Sequence, residues 1–145
     1  MKTLQGVVAV LLAYAPVSNA VESSAYAHNI LRVIDGDTIV VSAPYLPHPL
    51  KPELSVRLFG VDTPEKDFRA KCSTEDVKAK EATEFTKAAI SKAKKIEVVL
   101  YSWDKYGGRV LGNVVLDRVS LRDMLVSKGL AREYYGDAKQ SWCKN

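Results

Sequence analysis

Two apolar runs flank one acidic turn: Ile30, Val33 and Ile34 lie before Asp35-Gly36, and Ile39, Val40 and Val41 follow Asp37-Thr38. Apolar, largely β-branched residues on both sides of an Asp-Gly pair predict a β-hairpin, so the chain begins as sheet. Residues 54–61, Leu-Ser-Val-Arg-Leu-Phe-Gly-Val, predict a third strand that Pro64 ends. Between them Pro44, Pro47, Pro49 and Pro52 make residues 43–52 a stiff, exposed connection with no strand interior.

The period then changes. From Ser73 or Thr74, either a good N-cap, a helix is expected to about Lys94, with Glu75 and Asp76 in its first turn. Ala79, Ala82, Phe85, Ala89, Ile90 and Ala93 share one stripe at helical spacing, which reads as core packing. Residues 96–103 and 110–116 predict two more strands around the turn at Asp104–Gly108. Ser120 is placed to cap a short helix whose Leu121, Met124 and Leu125 face inward, with Gly129 at its C′ position. Five short strands with a long helix after the third predict an α+β fold built on a small closed barrel, an architecture that binds oligonucleotides on one face.

Lys2, the apolar residues 7–15, Pro16 and Ser18-Asn19-Ala20 have the layout of a secretory signal peptide, too short to span a bilayer. Cleavage is expected after Ala20, with Ala25-Tyr26-Ala27 as a second site, leaving residues 21–145 as one domain without a membrane anchor. Export removes only Lys2 from the 21 basic residues, which leaves 20 against 17 acidic ones. Several of those acids fall in the turns at residues 35–37 and 62–65, so the remaining surface is more cationic than the total, which suits a polyanionic partner. Cys72 and Cys143 remain, and an even pair in an oxidising compartment reads as one disulfide. His28 and His48 are ordinary loop residues.

Chemistry concentrates in Asp35-Gly36-Asp37, Arg57 and Asp62-Thr63-Pro64-Glu65. Carboxylates at turns are what a hard divalent cation such as Ca²⁺ requires. An arginine among them repels the ion, unless both grip the same anion, and a phosphodiester is such an anion. Either turn alone could be an ordinary strand connection; together they point to a cation between Asp37 and Asp62 and to phosphodiester hydrolysis. Arg57 and Asp62 are five residues apart and face opposite sides of a straight strand, so they converge only if the chain bends near Gly60. Arg109 could be a solvated surface charge or a second guanidinium on the phosphate. Tyr106, Tyr134 and Tyr135 could pack on the barrel or stack on bases.

The order Ile34–Thr38, Val56–Glu65, Glu81–Lys87, Lys94–Val98, Asp104-Lys-Tyr-Gly and Gly129-Leu-Ala131 resembles the staphylococcal nuclease (thermonuclease, micrococcal nuclease) family over about residues 29–135. That resemblance implies an OB-fold β-barrel and Ca²⁺-dependent hydrolysis of DNA and RNA, single-stranded or locally opened, that breaks the P–O5′ bond and leaves 3′-phosphates. Asp37, Asp62 and the Thr63 carbonyl then resemble the direct ligands of one Ca²⁺, and Asp35 an outer-sphere acid. Glu65 resembles the residue that orients or deprotonates the attacking water. Arg57 and Arg109 look like the two phosphate-holding arginines. Lys105 and Tyr106 are similar to contacts to a terminal phosphate, and Tyr135 to a nucleotide-packing tyrosine. A secreted or periplasmic monomer is expected. The chain departs from the type member in the extra glycine of Tyr106-Gly107-Gly108-Arg109, in lacking a long C-terminal helix, and in the pair Cys72–Cys143, which resembles shorter secreted bacterial members and would tie the tail to the loop after Glu65. The rival expectation is an OB-fold module that binds nucleic acid or protein without cleaving it.

Overall fold

A computed structural model describes residues 27–143. The expected signal peptide, residues 1–20, and its cleavage site at Ala20 lie outside the described residues. In the hairpin, β1 (Ile30–Asp35) runs antiparallel to β2 (Thr38–Ser42), with Asp35 opposite Thr38. The register slips between Ile30 and Arg32 and again between Val33 and Asp35. β2 pairs with β3 (Glu53–Leu58), which puts Arg57 directly opposite Thr38.

The expected third strand is split. It breaks after Leu58 and resumes as the two-residue β4 (Val61–Asp62), because Gly60 takes a left-handed φ of +78°. A side chain at Gly60 would be strained in that conformation, and its Cβ would lie 2.9 Å from the Tyr135 ring. The bend lets Asp62 turn back toward Arg57, which a straight strand forbids.

A turn of 3₁₀ helix (Asp67–Arg69) leads into α1 (Ser73–Lys92). Neither Ser73 nor Thr74 caps it. The N-cap is Cys72, whose sulfur is committed to the disulfide, so it makes no side-chain capping bond. The buried Glu75 carboxylate instead accepts the backbone N–H of Lys71 at 2.8 Å and that of Glu65 at 3.2 Å, fastening the loop that carries Glu65 to the helix. The helix stops at Lys92, two residues before the expected end. Its buried residues are Glu75, Ala79, Ala82, Thr83 and Thr86, while Phe85, Ala89, Ile90 and Ala93 pack at the edge of the core.

β5 (Ile96–Trp103) and β6 (Val110–Leu116) pair antiparallel, and β6 also runs parallel to β3, with Val56 opposite Val110. The strand path is therefore β1-β2-β3-β6-β5, with β7 (Val119–Ser120) folded back on β6. Ser120 is the N-cap of α2 (Leu121–Ser127), but its hydroxyl donates to Asn113 Oδ1 at 2.9 Å instead of capping an N–H. Gly129, at φ +67°, closes α2: its N–H meets the Val126 carbonyl at 3.0 Å, and the Leu130 N–H meets Leu125 at 2.9 Å. β8 (Arg132–Glu133) pairs with β4, setting Arg132 opposite Asp62.

Ile39, Val41, Val56, Leu58, Val114, Leu121 and Leu125 form the centre of the core between sheet and helices. At one end of it α1 presses on the hairpin turn. Ala82 lies so close that a Cβ on Gly36 would come within 2.8 Å of the Ala82 Cβ, and the buried Thr86 hydroxyl donates to the Gly36 carbonyl at 2.7 Å. The turn that carries Asp35 and Asp37 is thus held by the helix as well as by the sheet.

Candidate active site

Two strand registers and one bend bring the sequence-predicted residues together. The β2–β3 ladder sets Arg57 beside Asp37, the bend at Gly60 returns Asp62, and the parallel β3–β6 pair puts Arg109 next to Val110, the partner of Val56. The result is a polar cleft of about 330 Å³ whose wall includes Asp35, Asp37, Arg57, Thr63, Glu65, Lys105, Tyr106 and Arg109. Asp62 does not line this cleft; it lies behind the wall, ion-paired with the cleft residues Arg57 at 3.7 Å and Lys139 at 2.7 Å. Tyr135 lines an adjoining hollow shared with Arg57, Lys105 and Tyr134, where its hydroxyl accepts a 2.7 Å hydrogen bond from Arg122.

Arg57 is the hinge of the electrostatics. Its Nε lies 3.6 Å from Asp37 Oδ2 and its Nη2 3.7 Å from Asp62 Oδ1, while Nη2 also donates to the Val61 carbonyl at 3.4 Å. Both acids are nearly buried, Asp37 at 7% and Asp62 at 6% exposure. Contacts of that length compensate buried carboxylates only loosely. Asp37 Oδ1 accepts the Thr38 hydroxyl at 2.9 Å. Asp35 is paired through Oδ1 with Lys66 at 3.0 Å and through Oδ2 with Arg69 at 3.3 Å. Arg69 also reaches Glu65 at 3.4 Å. Asp35, Asp37, Asp62 and Glu65 offer carboxylate oxygens alone, the donor type that a hard divalent cation takes.

The extra glycine of the β5–β6 turn does not remove Arg109 from the cleft. Gly107 and Gly108 both adopt left-handed φ, +70° and +73°, and deliver Arg109 to the wall, where it bonds the buried Asp104 at 2.8 Å. Cys72 and Cys143 are bonded, with Cα atoms 6.0 Å apart, so the tail is fixed to the start of α1.

Sequence reasoning missed four contributors. Trp142 is buried at 8% exposure, with its indole N–H 3.4 Å from Asp62 Oδ2 and its ring 3.8 Å from the Arg132 guanidinium. Lys139 reaches Asp62 Oδ1 at 2.7 Å and Glu65 Oε1 at 3.7 Å. Burial lowers the Lys139 pKa, but its hydrogen bond to Asp62 and the charges of Asp62 and Glu65 outweigh that, and the pKa is raised. Arg69 and Asp104 complete the set. The tail that supplies Trp142 and Lys139 has no periodicity, and its one signal was the cysteine next to Trp142.

Fold and cleft together define an α+β barrel of the oligonucleotide-binding type that carries a carboxylate–arginine site where β1–β2, β3–β4 and the β5–β6 turn meet. Residues 55–144 match the family described as Staphylococcal nuclease homologue, a stretch that begins in β3 and so leaves Asp35 and Asp37 outside it. Over 120 residues the chain is 36% identical to a thermonuclease of Staphylococcus hyicus, covering 81% of this chain and 63% of that protein. The chain belongs to the staphylococcal nuclease family. It spans a little under two thirds of the length of that relative.

Proposed function

We propose that the protein is a Ca²⁺-dependent nuclease that hydrolyses phosphodiester bonds of DNA and RNA and leaves 3′-phosphates. The observation that carries this reading is Arg57 lying between two nearly buried carboxylates in a cleft that also holds Arg109 and Glu65. Two guanidinium groups on the wall of one cleft suit an anion gripped by cationic groups from several sides. The S. hyicus relative's designation as a thermonuclease supports the same reading.

Asp37 and Asp62 would hold the metal directly with the Thr63 carbonyl, and Asp35 would act through water. Bound there, the ion supplies positive charge and Lewis acidity at a phosphate oxygen. The remaining steps belong to the chain. Arg57 and Arg109 bind the other phosphate oxygens and strengthen their grip as charge grows there, which is where a fixed guanidinium lowers the barrier most. Glu65, held by Arg69 and by the backbone bond to Glu75, orients a water in line with the P–O5′ bond and takes its proton. The 5′-oxygen leaves and is protonated by solvent. Lys105 and Tyr106 sit in the wall to receive a neighbouring phosphate, and Tyr135 offers a ring to a base. Backbone phosphates provide most of the affinity, so sequence preference is weak and added salt weakens binding steeply.

Export with loss of residues 1–20 completes the proposal. The disulfide supports an oxidising destination, and among the described residues no helix is long and apolar enough to cross a membrane. The deciding experiment incubates the purified protein with plasmid and with RNA, in Ca²⁺ or in excess chelator. Cleavage of both with Ca²⁺, lost in chelator and in Asp37→Asn, is expected. Full cleavage in chelator would remove the metal from the mechanism, and binding without any cleavage would make the protein a non-catalytic OB-fold module.

A further inference from the structure

Asp62 already has a cation of the chain's own. The Lys139 ammonium lies 2.7 Å from Asp62 Oδ1, a full ångström closer than Arg57 comes to the same oxygen, and 3.7 Å from Glu65. This is not a wandering surface lysine. Four residues on, Cys143 is bonded to Cys72. Between them Arg132 donates to the carbonyls of Gln140 at 3.2 Å and Ser141 at 2.9 Å while its guanidinium covers the Trp142 ring. The Trp142 N–H, in turn, meets the other oxygen of Asp62. A covalent bond, a buried indole and two backbone bonds therefore hold a short strap across the acidic end of the cleft.

We propose that Lys139 is a tethered internal cation: it neutralises Asp62 and Glu65 while the site lacks metal, and it competes with the metal for Asp62. The inference rests on the Ca²⁺ site proposed above. Its physical basis is that two close carboxylates, one of them nearly buried, repel each other unless a cation sits between them. The ammonium relieves that repulsion without a metal, so the site stays formed. A metal that takes Asp62 Oδ1 must displace the ammonium, and its affinity falls by the strength of the contact it breaks. Nearly half of the Lys139 side chain faces solvent and it lines the cleft wall, so the displaced head stays among the phosphate-binding groups.

Calorimetric titration with Ca²⁺ and thermal melts of the full mature chain test this. Lys139→Met is expected to bind Ca²⁺ about tenfold more tightly, which corresponds to about 1.4 kcal/mol. It should also melt lower than the wild type in chelator and almost level with it in saturating Ca²⁺. Lys139→Arg, which keeps the charge, should restore the wild-type melting temperature in chelator and the weaker Ca²⁺ binding. Lys139→Gln, which removes the charge but keeps a polar head, should also bind Ca²⁺ more tightly than the wild type, and unchanged or weaker binding by it overturns the proposal as well. Lys128→Met, at the exposed end of α2, controls for net charge. Unchanged or weaker Ca²⁺ binding by Lys139→Met overturns the proposal, and so does an equal gain in Lys128→Met. If neither wild type nor variant binds Ca²⁺, the metal site itself fails and the competition with it; binding at equal affinity leaves the site standing and removes only the role of Lys139.

Discussion

Thr86→Val tests how the helix holds the acidic hairpin turn. Thr86 is fully buried in α1, and its hydroxyl donates to the carbonyl of Gly36, 50 residues earlier, at 2.7 Å. Valine has the same shape but no donor. The Gly36 carbonyl would lose that bond in a place pressed against Ala82 and shut off from water, at a cost of about 1–3 kcal/mol. Exchanging a buried hydroxyl for a methyl returns less than about 1 kcal/mol, so the net loss should be about 1–2 kcal/mol. For a domain of this size that lowers the melting temperature by about 3–8 °C. Thr86→Ser is the control: it keeps the donor, loses one methyl, and should cost about 1 kcal/mol through the small cavity it leaves. Stability alone would not separate the two variants. Ca²⁺ affinity should, because only the valine frees the turn that carries Asp35 and Asp37. Urea denaturation gives the first quantity and Ca²⁺ titration the second. A Thr86→Val protein as stable as the wild type, or equal loss of Ca²⁺ affinity in both variants, would refute the view that this hydrogen bond positions the site.

Three further outcomes are expected. Arg57→Lys keeps the charge but not the planar fork that spans Asp37 and Asp62, so steady-state kinetics should show kcat falling about 10²-fold or more with little change in KM; a reversed pattern would make Arg57 a ground-state binder. Replacing both Cys72 and Cys143 by alanine removes a cross-link between positions 71 apart, worth up to about 4 kcal/mol by loop-closure entropy, and a thermal melt that does not move would show that the buried Trp142 holds the tail without it. Asp117 accepts the backbone N–H groups of Lys95 and Lys94, bonds that lower its pKa below 3.8. A depressed carboxylate pKa gives stability that is present above the unfolded-state value and lost as pH falls through the folded-state one. Asp117→Asn should therefore melt below the wild type at pH 7, with the gap narrowing under acid below pH 3.8, and a gap independent of pH would contradict the assignment.

Local pattern determined a good part of this protein. The Asp35-Gly36 hairpin, the strands at 96–103 and 110–116, the long helix and the Gly129 stop are encoded within a few residues of themselves, through turn chemistry and side-chain period, and they appear where the sequence puts them. The same locality explains what was misplaced. Ser73 and Thr74 are good caps by type, but the disulfide and Glu75 decided where α1 begins. The strand expected through residue 61 breaks at Gly60, and only that break allows Arg57 and Asp62 to meet.

The identities of Asp37, Arg57, Asp62, Glu65 and Arg109 could be read from the chain, because carboxylates and guanidinium groups gathered at strand ends are chemically unusual. Their convergence could not, since it depends on the parallel register of β3 and β6 and on a helix gripping a turn 50 residues away. Lys139 and Trp142 were invisible for a related reason. In a tail without periodicity only Cys143 signalled an anchor, the bridge to Cys72; the cation–π contact to Arg132 that helps bring Lys139 and Trp142 across the cleft had no sequence sign. Sequence decided which groups the chain possesses, and long-range packing decided which of them meet at one cleft.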